Sequence, residues 1–195
     1  MNASSDSLKS APVPGKGTAS ASAGRWLGRC PVYFIILLGG FCLGTLDLLF
    51  ARIYWNAEGV TFVDVLHSIA RGIYGKASRD GGAQTAIVGA LAHYFIATCM
   101  VLAYYLASRR ATVLLRRAIP LGLVYGVFLY FFMNLVVLPL SAAGMPKFTD
   151  RSWMYWSIAM HALFGVLCAF TGCVAAFAEA KRKGERPGWQ ESSNG

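Results

Sequence analysis

Residues 84–108 read QTAIVGALAHYFIATCMVLAYYLAS, a run of 25 residues without lysine, arginine, aspartate or glutamate that ends at Arg109-Arg110. A helix rises about 1.5 Å per residue, so a run of this length crosses a bilayer core of about 30 Å. His93 interrupts its apolar core. The stretch therefore predicts a transmembrane helix with a basic end and one polar position inside.

The composition of the whole chain agrees with a membrane protein. Of its 195 residues, 56% are hydrophobic and 14% are charged, and the mean hydropathy is +0.50. These values are unlike those of a soluble domain. The net charge of +9 comes largely from basic clusters beside apolar runs. Membrane orientation explains such clusters, and no basic patch with interleaved aromatic residues indicates nucleic-acid binding.

Three more apolar runs complete the predicted fold. They cover about residues 32–54, 118–138 and 153–178, and the quoted stretch gives a span at about residues 84–107. Between the first two spans, apolar residues recur at helical spacing, which predicts an amphipathic helix that lies on the membrane surface or dips against the bundle: Phe62, Val65, Leu66, Ile69 and Ile73. We expect an all-α integral membrane protein with four transmembrane helices and a short amphipathic helix in the first outer loop.

Composition also divides the chain. Residues 1–24 are rich in Ser, Ala, Gly and Pro and predict a flexible N-terminal tail. Residues 25–180 form the predicted four-helix transmembrane domain, and residues 181–195 a polar, flexible C-terminal tail. Within the first loop, four glycines predict irregular backbone before the second span: Gly72, Gly75, Gly81 and Gly82.

The basic residues predict an orientation. If both termini are cytoplasmic, 12 of the 18 lysines and arginines lie inside and 6 outside. The inner group comes before the first span, between spans two and three, and after the fourth: Lys9, Lys16, Arg25, Arg29, Arg109, Arg110, Arg116, Arg117, Lys181, Arg182, Lys183 and Arg186. This bias favours a multi-pass protein with both termini in the cytoplasm.

Two pairs of glycines have the GxxxG spacing that lets helices approach closely. They are Gly40 with Gly44 in the first span, and Gly122 with Gly126 in the third. We expect all four at helix contacts. These faces allow packing within one bundle, a homo-oligomer, or association with another membrane protein.

Four polar side chains, one from each span, fall at similar predicted depth: Asp47, His93, Asn134 and His161. Polar groups in hydrocarbon normally face inward and meet one another. The layer is therefore either a hydrogen-bonded belt that holds the helices in register, or a binding or proton-handling site. His67 lies at the edge of the amphipathic stripe, and we interpret it as an ordinary interfacial histidine.

The chemistry open to this layer is limited. Two histidines on different helices can bind a haem b iron from its two faces. Two histidines and a carboxylate could instead hold a divalent metal or relay protons. No serine lies in a nucleophile motif, and no phosphate loop or dinucleotide fingerprint occurs. The sequence therefore gives no catalytic residue.

A set of short motifs resembles the YagU-like group of bacterial inner-membrane proteins, over about residues 32–178. The matching positions run through all four spans: Gly44-x-x-Asp47, Ile69-Ala70-x-Gly72, Gly75, Gly81-Gly82, Gly89-x-x-x-His93, Gly122-x-x-Tyr125-Gly126, Met133 and Pro139-Leu140-Ser141. The resemblance implies a multi-helix protein of the bacterial inner membrane, with a link to acid resistance and no established reaction.

Two functional hypotheses follow. The first is a non-enzymatic inner-membrane protein, related to stress or acid, with a polar layer inside its bundle and the lipid bilayer as its surroundings. The second is a small membrane redox or metal- or haem-binding protein that uses His93 and His161.

Overall fold

A computed structural model describes residues 31–145 and 149–185. The predicted tail 1–24 and the end of the predicted tail 181–195 lie outside these residues. Every regular element in the described ranges is helical. The expectation of an all-α chain is confirmed.

Within the described residues, seven α-helical segments and shorter turns follow one another. We label the segments α1 to α7: Val32–Tyr54, Phe62–Tyr74, Gly82–Arg110, Val113–Arg116, Ala118–Phe132, Leu138–Leu140 and Arg151–Lys183. A π-helical turn, Met133–Val137, joins α5 to α6 without a break. Short 3-10 turns follow α1 and α2.

In the part of the chain that the structure describes, four helices are long and apolar enough to cross a membrane. They are Val32–Glu58, Gly82–Arg110, Ala118–Leu140 and Arg151–Lys183. Large apolar side chains such as Phe95, Ile119, Val124 and Phe170 are exposed on their outer surfaces. Such all-round apolar helices are expected where lipid replaces water as the solvent.

The core of the bundle lies mainly between α1, α3 and α7. Leu43, Val101, Tyr104, Phe164 and Cys168 belong to its buried cluster. Tyr104 is almost fully buried, and its hydroxyl donates to the carbonyl of Leu114 at 3.0 Å. The aromatic ring thus packs in the core while its polar end is satisfied, as a buried tyrosine requires.

All four glycines of the GxxxG pairs lie against a neighbouring helix. Gly40 and Gly44 face Thr98 and Tyr94 of α3, and Gly122 and Gly126 face α7. A Cβ placed on Gly126 would collide with the backbone carbonyl oxygen of His161. The absence of a side chain thus permits the close approach of α5 to α7.

The amphipathic helix α2 lies across one end of the bundle. Its first turn is closed by a capping box, in which Thr61 and Asp64 exchange hydrogen bonds between side chains and backbone amides. His67 is buried and its Nε2 lies 2.9 Å from the carbonyl oxygen of Gly82. The amide of Ala142 donates to the carbonyl of Gly72 at 2.9 Å. These contacts fix α2 to the start of α3 and to the segment after α6.

Several predicted boundaries were wrong. Gly72 lies inside α2 rather than in a loop, because the helix continues to Tyr74 and ends at Gly75, where φ is +59°. The fourth span begins at Arg151 and continues through Lys183 into the predicted C-terminal tail. It ends at Gly184, which adopts the left-handed conformation that terminates helices.

An aromatic cluster ties α1 to the start of α7. The Trp153 indole stacks on Phe50 with ring centroids 5.5 Å apart and packs on Tyr54 at 4.9 Å and Trp55 at 5.3 Å. Asp150 caps α7 by accepting from the amide of Trp153 at 3.1 Å, and it also accepts from the Tyr54 hydroxyl at 3.2 Å. The aromatic residues at the α2 end therefore form one packed cluster between α1 and α7.

The opposite end of the bundle carries basic residues in the last turns of α3 and α7. There Glu179 of α7 lies 3.0 Å from Lys183 and 3.4 Å from Arg109 of α3, and it accepts a hydrogen bond from the Tyr105 hydroxyl. The carboxylate thus joins α3 to α7 where both helices leave the apolar region.

Candidate functional site

The bundle contains a partly open cavity of about 500 Å³ toward the α2 end. Residues of α1, α3, α5, the π-helical turn and α7 form its walls, and α2 lines its end through Ser68, Ile69 and Gly72. Most of the lining is aliphatic or aromatic. The polar side chains in it are Asp47, Ser68, His93, Asn134, Ser141, Ser157 and His161, with Tyr130 and Trp153 carrying a polar atom each. All four residues of the predicted polar layer therefore line one cavity.

His93 of α3 is held between two groups of α1. Its Nε2 lies 2.9 Å from the backbone carbonyl oxygen of Gly44 and 3.8 Å from a carboxylate oxygen of Asp47. A carbonyl oxygen can only accept, so Nε2 carries a hydrogen and neutral His93 has its lone pair on Nδ1. Nδ1 is therefore the ring nitrogen that is free to accept a hydrogen bond or to contact a ligand.

The neighbour of His93 on α3 keeps this arrangement in place. Tyr94 stacks on Phe41 with ring centroids 5.1 Å apart, and its hydroxyl shares a hydrogen bond of 3.1 Å with Thr45. Both partners belong to α1. Because Gly44 has no side chain, the Tyr94 ring can pack directly against the α1 backbone. The close approach of α1 and α3 thereby brings the His93 ring within reach of the Gly44 carbonyl.

Asp47 has little compensation for its charge. Within the described residues, its polar contact is the His93 ring at 3.8 Å, which is longer than a hydrogen bond. Its side chain is 32% exposed, whereas that of His93 is 12% exposed. A carboxylate in an apolar helix is costly unless it is paired. The negative charge of Asp47 is therefore poorly compensated by the other residues of the cavity wall.

Asn134 lies in the π-helical turn that connects α5 to α6. Its amide nitrogen donates to the carbonyl of Tyr130, four residues earlier, at 2.9 Å. Pro139 follows in α6 and has no amide hydrogen for a regular helical bond. Turns of this kind in α-helices frequently occur at functional sites. Here the turn aligns Asn134 and Met133 with the cavity.

His161 of α7 lines the same cavity. Its Nδ1 lies 2.8 Å from the carbonyl oxygen of Ser157, so Nδ1 carries a hydrogen and the lone pair of the neutral ring is on Nε2. The Tyr130 ring packs edge-on against it, with centroids 5.5 Å apart. His161 and His93 thus line one cavity without a hydrogen bond between them among the contacts of the described chain.

The hypothesis of a divalent metal held by two histidines and a carboxylate requires these side chains to lie close together. In the structure they lie farther apart than one ion requires. In residues 31–145 and 149–185, no group of three or more His, Cys, Asp or Glu side chains is close enough to hold one ion. His93 and His161 remain the residues that could contact a cofactor in this cavity, through Nδ1 and Nε2 respectively.

Sequence reasoning missed part of the lining. Ser68 and Ser141 bond to backbone carbonyls of their own segments, at 2.6 and 2.7 Å. Trp153 also belongs to the lining. Pro139, which lies five residues after Asn134, was the signal that could have indicated an irregular turn. The contribution of α2 could have been expected from its strong amphipathic pattern.

The fold and the cavity define a multi-pass, all-α membrane protein with an internal polar-lined site. Comparison of the chain with protein-family models, with curated proteins and with solved structures gave no match.

Proposed function

We propose that this is a non-enzymatic protein of the bacterial inner membrane, related to acid or stress, whose cavity responds to protons through His93 and Asp47. The observation that carries the proposal is the position of His93, with Nε2 between the Gly44 carbonyl and the Asp47 carboxylate. Histidine is the side chain whose charge most readily changes near neutral pH.

Protonation of His93 would change the charge of the cavity. The titratable groups among its lining residues are Asp47 of α1, His93 of α3, Tyr130 of α5 and His161 of α7, and α2 contributes none. With neutral histidines the lining is formally negative because of Asp47. A proton on Nδ1 of His93 makes the pair with Asp47 neutral overall. Because the two residues lie on different helices, this change alters the attraction between α1 and α3.

The test is the emission of Trp153, which lines the same cavity. In a variant whose other four tryptophans are replaced by phenylalanine, we expect the Trp153 spectrum to change between about pH 8 and pH 5. His93→Gln should abolish the change, whereas His67→Gln should retain it because His67 bonds to Gly82 outside the cavity. A spectrum that does not depend on pH, or a change that persists in His93→Gln, would refute the proposal.

The proposed kinship with the YagU-like group supports the same direction, because that group has a link to acid resistance. The proposed orientation places both termini in the cytoplasm and α2 outside. The cavity lies at the α2 end of the bundle. In this orientation it would lie toward the side of the membrane that is exposed to external acid.

A second candidate is a membrane redox or metal protein that binds haem b or a divalent metal. It is favoured by one observation, the presence of His93 and His161 in the lining of the same cavity. The absorbance spectrum and metal content of the detergent-purified protein test it. A Soret band or a stoichiometric metal, lost in both His93→Gln and His161→Gln, would support this candidate; a colourless, metal-free protein that gains neither on supplementation would reject it.

A further inference from the structure

We propose that the cavity binds a lipophilic organic cation and that Asp47 is its counter-ion. This inference rests on the proposed function in that it uses the same cavity and the same carboxylate, and it adds the class of ligand.

The first argument is the unsatisfied charge of Asp47. Its carboxylate lies in an apolar spanning helix, and its polar contact in the described chain is His93 at 3.8 Å. The cost of a charge in such surroundings is relieved by a second charge of opposite sign. A bound cation would supply that charge when His93 is neutral.

The second argument is the charge balance of the wall. Among the described residues that line the cavity, Asp47 is the acidic one and neither lysine nor arginine occurs. Lysines and arginines of the described chain also occur near this end of the bundle, for example Arg79 beside Asp64, but none of them belongs to the lining. With His93 and His161 neutral, the cavity attracts cations and repels anions.

The third argument is the shape and chemistry of the space. A volume of about 500 Å³ with mostly apolar walls and a few convergent polar groups is typical of sites for small organic molecules. Leu43, Ile69 and Phe164 offer apolar surface, and the Trp153 indole belongs to the lining. Indole rings attract organic cations through their negative faces. A small hydrated metal ion would gain little from such walls.

The same geometry predicts competition with protons. When His93 gains a proton, its positive charge lies beside Asp47 and takes the place of the ligand's charge. A proton on His161, which lines the same cavity, would also add positive charge near the ligand and weaken its binding. Binding should therefore weaken as the pH falls.

The probe for the test is tetraphenylphosphonium, with tetraphenylborate as an anion of matched shape. Calorimetric titration of the full chain in detergent at about pH 8 should show saturable binding of the cation and much weaker binding of the anion. Asp47→Asn should weaken cation binding about tenfold to a hundredfold, the range for loss of a charged partner. Asp47→Glu should retain most of the affinity. Asp80→Asn is the matched control, because Asp80 is exposed and lies outside the cavity.

The outcomes separate this inference from the proposed function. If the parent protein shows no saturable binding of tetraphenylphosphonium, or binds tetraphenylborate equally well, the inference is wrong even when Trp153 emission depends on His93. Cation binding that is unchanged in a helical, monodisperse Asp47→Asn variant also refutes it. Cation binding lost in Asp47→Asn but retained in Asp47→Glu supports it, whether or not Trp153 emission depends on pH. If Asp47→Asn fails to fold, the cation-to-anion ratio of the parent decides.

Discussion

Nε2 of His93 lies 3.8 Å from a carboxylate oxygen of Asp47, so that the middle of α3 meets α1 at the wall of a shared cavity. The same nitrogen is 2.9 Å from the backbone carbonyl of Gly44. The imidazole therefore has one fixed donor atom and one nitrogen left for a proton. This relationship is the basis of the functional proposal, while the predictions below also test the fold that holds it in place.

Helix packing at Gly126 should not tolerate a methyl group. Gly126→Ala would place Cβ against the His161 carbonyl, whose backbone cannot move without shifting α7. We expect a loss of about 1–3 kcal/mol in stability, the usual cost of overpacking, seen as a lower unfolding temperature in detergent. Gly72→Ala is the control, since its Cβ would meet the Ser141 side chain at ordinary van der Waals distance. Equal unfolding temperatures of the two variants would argue against the α5–α7 contact.

The cap of α2 should weaken in acid. The Thr61 side chain, which donates to the Asp64 carboxylate, together with the Thr61 amide, holds the pKa of Asp64 below its ordinary value of 3.8. A lowered folded-state pKa means that the stabilisation is complete above the unfolded-state pKa and is lost as the pH falls through the folded-state value. We expect amide exchange in the first turn of α2 to accelerate only below about pH 4. In Asp64→Asn this acceleration should be absent. If it remains, a group other than Asp64 causes it and the prediction is wrong.

The basic end of the bundle should depend on Glu179. Glu179→Gln removes the charge that pairs with Arg109 and Lys183 and weakens the bond from Tyr105. We expect a lower unfolding temperature, by an amount that shrinks in high salt because the pairs with Arg109 and Lys183 are partly exposed. Glu185→Gln, at an exposed position after α7, serves as the control. An effect of Glu185→Gln as large as that of Glu179→Gln would contradict the role of the cluster.

The orientation can be tested in cells. Reporters fused to either terminus should be active only as cytoplasmic fusions, because the basic residues favour an inner location for both ends. A cysteine introduced at Asn56, beyond the end of α1, should react with a membrane-impermeant thiol reagent from outside. A periplasmic C-terminus would refute the predicted orientation. Termini on opposite sides of the membrane would refute the four-span fold, because an even number of spans leaves both termini on the same side.

Much of this architecture could be predicted because long apolar runs have few alternatives in a bilayer. The meeting of Asp47, His93, Asn134 and His161 in one cavity also follows from the cost of polar groups in lipid. Depth along a helix can be counted from the sequence. Rotation about the helix axis cannot, and so the preference of His93 for Asp47 and Gly44 over His161 was left open.

Other features depend on tertiary contacts that leave no local pattern. Gly72 was predicted to lie in a loop, but α2 continues through Gly72 to Tyr74. There the carbonyl of Gly72 accepts a hydrogen bond from the amide of Ala142. His67 read as an interfacial residue, yet it is buried against Gly82. The π-helical turn at Asn134 requires knowledge of how Pro139 is accommodated within a continuing helix.

The most direct test of the account is a nitrogen-15 NMR titration of the histidine side chains in the full chain. The protein has three histidines, so the signals of His93 can be assigned by their loss in His93→Gln. At about pH 8 we expect the His93 ring to carry its hydrogen on Nε2, because Nε2 faces the Gly44 carbonyl, and to gain a second hydrogen on Nδ1 on acidification toward about pH 5. Asp47→Asn should alter the His93 signals and leave those of His67 unchanged. A His93 ring protonated on Nδ1 alone at about pH 8, or one that stays neutral throughout the titration, would contradict the account.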